Sequence, residues 1–253
     1  MTVASTGGSV WPLNLFFSSS KIQPFLTKAS AHTYCKRFSS HFRCKNSHKN
    51  SVAVYPGTVA DRVLMDIENS GIIACLRAQS AEMAIEAARA ALSGGISVLE
   101  ITMSTPGVFE ALQFLVHEYP SASLGVGTVL DSQDAKDALE CGAKFLMSPA
   151  MVKEILDDVA EGQALYIPGA MTPTEILLAS RAGAKIVKVY PVSALGGVQY
   201  IAAVKKPFPN IQMIAFITRH NHRSESTDSS KISCLCDNIY LNLCYDFPFS
   251  FAS

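Results

Sequence analysis

Seven apolar runs of strand length, spaced almost evenly and alternating with amphipathic helical runs, constrain this 253-residue chain more than any other feature. They cover residues 72–77, 98–103, 124–128, 145–149, 165–169, 186–191 and 211–216. The runs are nearly continuous in apolar character rather than alternating, which is the pattern of strands buried on both faces. Strands of that kind, separated by helices, form a parallel sheet covered by helices. The intervening helices have clear entry signals. Ser80 precedes 81–93, Thr105-Pro106 precedes 107–119, Asp131 precedes 132–140, and Thr172-Pro173 precedes 174–182. Glycines stand where three of them stop, at Gly94-Gly95, Gly142 and Gly183. No GxGxxG follows the first strand, so a dinucleotide-binding doubly wound sheet is the weaker reading. The expected fold is an α/β, (β/α)8 barrel with about seven of its eight strands identifiable.

Composition divides the chain into three segments. Residues 1–55 contain no Asp or Glu, are dense in Ser and Thr, and carry scattered Lys and Arg. That is the composition of an organelle transit peptide, and the expectation is a plastid leader, with mitochondrion or cytoplasm as alternatives. Residues 60–216 hold the regular pattern. Residues 217–253 break it, with a polar run to Lys231 and a short aromatic end. A formal net charge of +0 argues against a general electrostatic nucleic-acid binder. No apolar stretch is long enough to span a bilayer. The seven cysteines show no CxxC pair or Cys/His ligand set, and Cys234-x-Cys236 is too close for a usual zinc knuckle, so free thiols and no metal site are expected.

The chemistry is carried by ionisable residues inside strand-like runs. Lys188 lies in Ile186-Val187-Lys188-Val189-Tyr190-Pro191, where alternation puts Ile186, Lys188 and Tyr190 on one face. An unpaired buried ammonium is expensive. A lysine held neutral part of the time is a nucleophile for carbonyl carbon, the first step of Schiff-base chemistry. A strand-end lysine reaching water, or one in a structural ion pair, is the plain alternative. Glu100 is a second such residue, in Val98-Leu99-Glu100-Ile101, on one face with Thr102. Two opposite charges on separate strands of one barrel suggest a working pair, although a structural buried salt bridge has the same signature. Arg77 ends the first strand and has the planar fork that suits carboxylate or phosphate. Gly125 and Gly127 permit close backbone approach, and Thr128 offers a hydroxyl at the C-terminal end of the third strand.

Six stretches occur in order and at suitable spacing: Leu76-Arg77-Ala78, Val98 to Thr102, Gly125 to Val129, Phe145 to Pro149, Ile167 to Glu175, and Val187 to Pro191. Together they resemble the 2-keto-3-deoxy-6-phosphogluconate / 4-hydroxy-2-oxoglutarate aldolases over roughly residues 60–215. The resemblance implies a class I aldolase that uses no cofactor or metal, forms a homotrimer, and cleaves a 2-keto acid to pyruvate and an aldehyde. By the same resemblance Lys188 forms the imine and Glu100 moves protons. Arg77 and Thr128 hold the substrate carboxylate or other anionic parts, and Pro149 and Tyr190 shape the pocket. Some members have an arginine just after the second strand, where this chain has Ser104.

The chain departs from the pattern after Ala215. It reads Phe216-Ile217-Thr218-Arg219-His220 where a glycine-rich turn is expected, and no Gly follows Gly197. Two expectations follow. The barrel should be open, with exposed sheet edges, unless the tail closes it (for example over residues 239–244). Phosphorylated substrates should bind poorly, because the backbone N–H cradle is missing. A catalytically impaired truncated isoform, acting only as a partner subunit, is the alternative function.

Overall fold

The computed structural model describes residues 57–159, 161–218 and 239–246. The expected leader, residues 1–55, lies outside the described residues, as does most of the tail. The first helix, α1 (Val59–Ser70), starts on a capping box in which Thr58 and Asp61 satisfy each other's backbone N–H groups. It ends at Gly71, whose φ of 68° suits glycine. Then follow β1 (Ile72–Arg77), α2 (Ala81–Ser93), β2 (Val98–Thr102), α3 (Val108–Glu118), β3 (Ser123–Gly127), α4 (Ser132–Glu140), β4 (Phe145–Met147) and α5 (Lys153–Asp158). The chain continues with β5 (Leu165–Ile167), β6 (Gly169–Ala170), α6 (Pro173–Arg181), β7 (Ile186–Val189), a 3-10 turn (Val192–Leu195), α7 (Val198–Lys205), β8 (Gln212–Thr218) and β9 (Ile239–Asp246).

The capping expectations hold at three helices. Ser80 accepts from the N–H of Met83, Asp131 from Gln133 and Asp134, and Thr172 from Glu175 in a full capping box. Thr105 is different. Gly107, at φ 71°, is the N-cap of α3, and the Thr105 hydroxyl instead accepts from the buried N–H of Ala78 at 3.1 Å. That bond ties the loop after β2 to the end of β1, a partner that local sequence cannot reveal.

All the strand pairings are parallel, in the order β5-β4-β3-β2-β1-β9-β8-β7-β6. The two ends of that order, β5 and β6, are consecutive in the chain and separated only by Pro168, so the sheet closes on itself with eight strand positions. Proline has no N–H for a ladder, and the strand changes partner there. Residues 165–167 pair with β4, whereas the Pro168 carbonyl and Gly169 pair with β7. A β-carbon on Gly169 would come within 2.1 Å of the Pro149 carbonyl oxygen, so this crossing needs glycine.

The expected open barrel is corrected here. The tail supplies β9 in the eighth position, in register with β1 from Ile72↔Leu241 to Arg77↔Asp246 and with β8 from Met213↔Ile239 to Thr218↔Cys244. The physical reason is that β1 and β8 would otherwise each present a row of unpaired backbone groups. Any neighbouring segment of β-prone residues, here Ile-Tyr-Leu-Asn-Leu-Cys-Tyr-Asp, can satisfy them.

Alternation divides the core into a lumen and an outer shell. Ile73, Val98, Phe145, Leu165, Ile186 and Ile214 pack inside the barrel, and Ala60, Val63 and Ile67 of α1 plug its lower end. The intervening strand residues Ala74, Leu99 and Ile101 pack between sheet and helices on one side, against Leu112 of α3, and Val187, Val189, Met213 and Ala215 do so on the other. Each fully buried aliphatic side chain contributes about 1.5–3 kcal/mol relative to exposure.

Two predictions arise from this architecture. Deleting residues 239–253 should sharply accelerate hydrogen exchange of those β1 and β8 amides that face β9, because each strand loses one of its two ladders; unchanged protection there would mean that β9 does not close the barrel. The second concerns α1. The Lys185 ammonium, 2.5 Å away, and the Thr58 cap hold the Asp61 carboxyl down at about 2, from an ordinary 3.8. A depressed carboxyl stabilises the fold above its unfolded value, and that contribution fades as pH falls toward the folded value. The melting-temperature gap between wild type and Asp61→Asn should therefore narrow between pH about 4 and about 2, and a gap independent of pH would count against it.

Candidate active site

Toward the C-terminal rim the lumen carries charged and polar side chains among apolar ones. Val98 faces the lumen, so Glu100 and Thr102, two and four residues on, face it too. The same count from Ile186 gives Lys188, from Ile73 gives Cys75 and Arg77, and from Ile214 gives Phe216. Glu100 is 1% exposed and Lys188 6%. The Lys188 Nζ lies 3.8 Å from Oε1 of Glu100. Structure thus brings together the two residues that the sequence singled out, as an ion pair inside a closed barrel. Opposite charges so placed offset each other's desolvation, and removing either one strands the other.

Glycine makes room for the pair. A β-carbon on Gly127 would lie 1.5 Å from the Glu100 Oε1, so the carboxylate occupies the space that a side chain at 127 would take. Gly125 is crowded as well, its missing β-carbon falling 2.4 Å from the Phe145 carbonyl oxygen. Thr128 follows directly. It has φ 64°, a left-handed conformation that costs a non-glycine residue roughly 1–2 kcal/mol. Its neighbours hold it there. Val129 donates to the Met147 carbonyl at 3.1 Å and accepts from the Ser148 hydroxyl at 2.6 Å, and Tyr166 donates to Ser148 at 3.0 Å. Strain anchored from outside in this way is characteristic of functional rims. Burial of the Tyr166 ring also pushes its phenol above the ordinary value, keeping it a neutral donor to Ser148.

Arg77 stands at the rim on β1. Its Nε donates to the Ser104 hydroxyl at 3.0 Å, and Ser104 in turn lies 3.0 Å from the Thr102 hydroxyl. The guanidinium is thereby connected to the strand that holds Glu100. Pro149 follows β4 by two residues and backs onto Gly169, which is in register with Lys188. Tyr190 is exposed at the mouth, with its ring edge against Phe216 at 5.1 Å and 72°.

Phe216 is the residue that sequence reasoning missed. Its ring centre lies 4.5 Å from the Lys188 Nζ, a cation–π contact, and it packs on Cys75 of β1. The signal was available: two residues past Ile214, it had to point inward. Among the described residues, no cluster of three or more His, Cys, Asp or Glu could hold a metal ion, and no helix is long and apolar enough to cross a membrane.

A buried lysine paired with a carboxylate at the rim of a (β/α)8 barrel can add to a carbonyl and shuttle its protons. Known proteins with similar sequences fit that chemistry. The chain is 36% identical over 131 residues to the KHG/KDPG aldolase of Escherichia coli strain K12, and 35% identical over 131 residues to the 2-dehydro-3-deoxy-phosphogluconate aldolase of Dickeya dadantii. Each match covers 52% of this chain and 62% of the relative, so the chain spans less than two thirds of their length. Among solved structures, the KDPG aldolase of Legionella pneumophila, with pyruvate captured at low pH as a covalent carbinolamine intermediate, superposes with a TM-score of 0.62. It is 25% identical, covering 71% of this chain and 84% of that one. The family model of the KDPG and KHG aldolases matches residues 63–228, from within α1 to beyond β8, and the chain belongs to that family.

Proposed function

We propose that this protein is a class I aldolase that cleaves a 2-keto acid to pyruvate and an aldehyde through an imine on Lys188. The carrying observation is the buried Lys188–Glu100 pair at the barrel rim. The Lys188 amine adds to the C2 carbonyl, and loss of water gives a protonated imine. That imine accepts the electron pair of the breaking C3–C4 bond while the C4 hydroxyl loses its proton. The aldehyde departs, the resulting enamine is protonated at C3, and water releases pyruvate and the free amine. Glu100 is the base and acid for these transfers, being the carboxylate nearest the nitrogen. Arg77 and Thr128 bind the substrate carboxylate, while Pro149 and Tyr190 line the pocket.

Unphosphorylated substrates such as 4-hydroxy-2-oxoglutarate fit this chain better than phosphorylated sugar acids. In support, β8 continues as regular strand through Thr218, and no glycine follows Gly197 to build an anion-binding turn. The acid-free, Ser-rich composition of residues 1–55 supports a plastid location, and the family resemblance supports a homotrimer.

Borohydride trapping tests the reading. With pyruvate and sodium borohydride, Lys188 should acquire a stable secondary-amine adduct detectable in its peptide by mass spectrometry, and Lys188→Arg should lose it. A folded wild-type protein that acquires no adduct sinks the proposal. Glu100→Gln should slow cleavage by roughly 10²–10⁴-fold, the usual range for loss of a general acid–base group. Gly127→Ala should fall to a similar rate although it alters no ionisable group, because its methyl group takes the carboxylate's place. Wild-type cleavage by that variant would show that Glu100 can work from elsewhere.

A further inference from the structure

Phe216 has no part in the chemistry above, yet its ring centre lies 4.5 Å from the reactive nitrogen. Its position is well fixed. Tyr190 supports it from the mouth side, and Cys75, two strands away past β9, packs on it at the level of Glu100, with which Cys75 is in register. It is 8% exposed, so it forms a wall of the lumen and not a flap above it. We infer that Phe216 is a specificity-determining residue that restricts the carbonyl donor to pyruvate by closing the space beside C3. This rests on the Schiff-base reading of Lys188.

The geometry leads there in two steps. Once C2 of a 2-keto acid is bonded to Nζ, its other two substituents lie within two bonds of that nitrogen. A substituent directed toward β8 therefore meets a ring whose centre is 4.5 Å from Nζ. The face of a phenyl ring carries the negative part of its quadrupole, which attracts the ammonium but repels a carboxylate. The carboxylate accordingly turns from the ring face to its proposed partners Arg77 and Thr128, and the C3 carbon meets the ring. A methyl group fits against that wall, whereas each further carbon on C3 has to displace a phenyl ring held on two sides. The chain beyond C4 of a cleavable substrate is not restricted in the same way, since it can leave through the mouth past the exposed Tyr190.

The test is a comparison of borohydride trapping rates with pyruvate, 2-oxobutanoate and 2-oxopentanoate, following adduct formation on Lys188 in the full chain. Wild type should prefer pyruvate over 2-oxobutanoate by about 10- to 100-fold, the discrimination that one methylene commands in a tight apolar pocket. In Phe216→Ala that preference should drop at least about tenfold, with pyruvate itself still labelling. Phe216→Leu, which keeps the site apolar and guards against a misfolded alanine variant, should give an intermediate ratio. An unchanged ratio in a variant that still labels with pyruvate overturns the role of Phe216 alone. Failure of folded wild type to label with any of the three acids overturns the Schiff-base reading and this inference with it.

Discussion

Everything at the rim depends on placing two opposite charges inside an apolar barrel. Neither Lys188 nor Glu100 could stay buried alone, since an uncompensated internal charge costs several kcal/mol. Buried as a pair they contribute little net stability, so the pair is better understood as chemistry that the fold tolerates than as a brace. The tolerance is visible in the residues around it. Gly127 gives up its side chain to the carboxylate, Thr128 accepts a left-handed backbone, and Gly169 lets strands cross at Pro149. Gly127 is explained by the space that the pair requires, and Gly169 by the close approach of the Pro149 carbonyl.

The apolar plug below is the counterpart of that charged rim. Ile73, Val98, Ile186 and Ile214 fill the lower lumen on the same strands that carry Cys75, Glu100, Lys188 and Phe216 two residues further on. Period-two alternation therefore fixes both the packing and the orientation of the reactive groups. A one-residue slip of β7 against β8 would turn Lys188 outward and bring Val187 into the lumen. The apolar demand of the lower layer thus protects the register of the catalytic layer.

Much of this was legible in the sequence. The strands were readable from apolar runs, and alternation alone put Lys188 on one face with Ile186 and Tyr190, and Glu100 on one face with Thr102. Capping chemistry located α2, α4 and α6 because Ser80, Asp131 and Thr172 act within one turn. What failed was non-local. Thr105 looked like a cap but serves a backbone N–H on β1, 27 residues away in sequence. Closure by residues 239–244 stood only as the exception to an open barrel, because β9 has no helix before it in the pattern, and its identity is decided by the vacant ladders of β1 and β8. Phe216 escaped notice for a related reason, since an aromatic residue in an apolar strand is unremarkable until its distance to Lys188 is known.

The closing strand has a further consequence for how the protein is made. It pairs Ile72, near the start of the barrel, with Leu241, near the end of the chain. Contacts so distant in sequence form late, because the intervening chain must be ordered first. During synthesis, β1 to β8 can emerge and wind with their helices while the seam between β1 and β8 is still unfilled. The lumen is then sealed only once β9 has been made and has paired with both strands. The lysine and its carboxylate therefore meet first in a half-open, hydrated trough, and their dry environment is acquired with the pairing of β9.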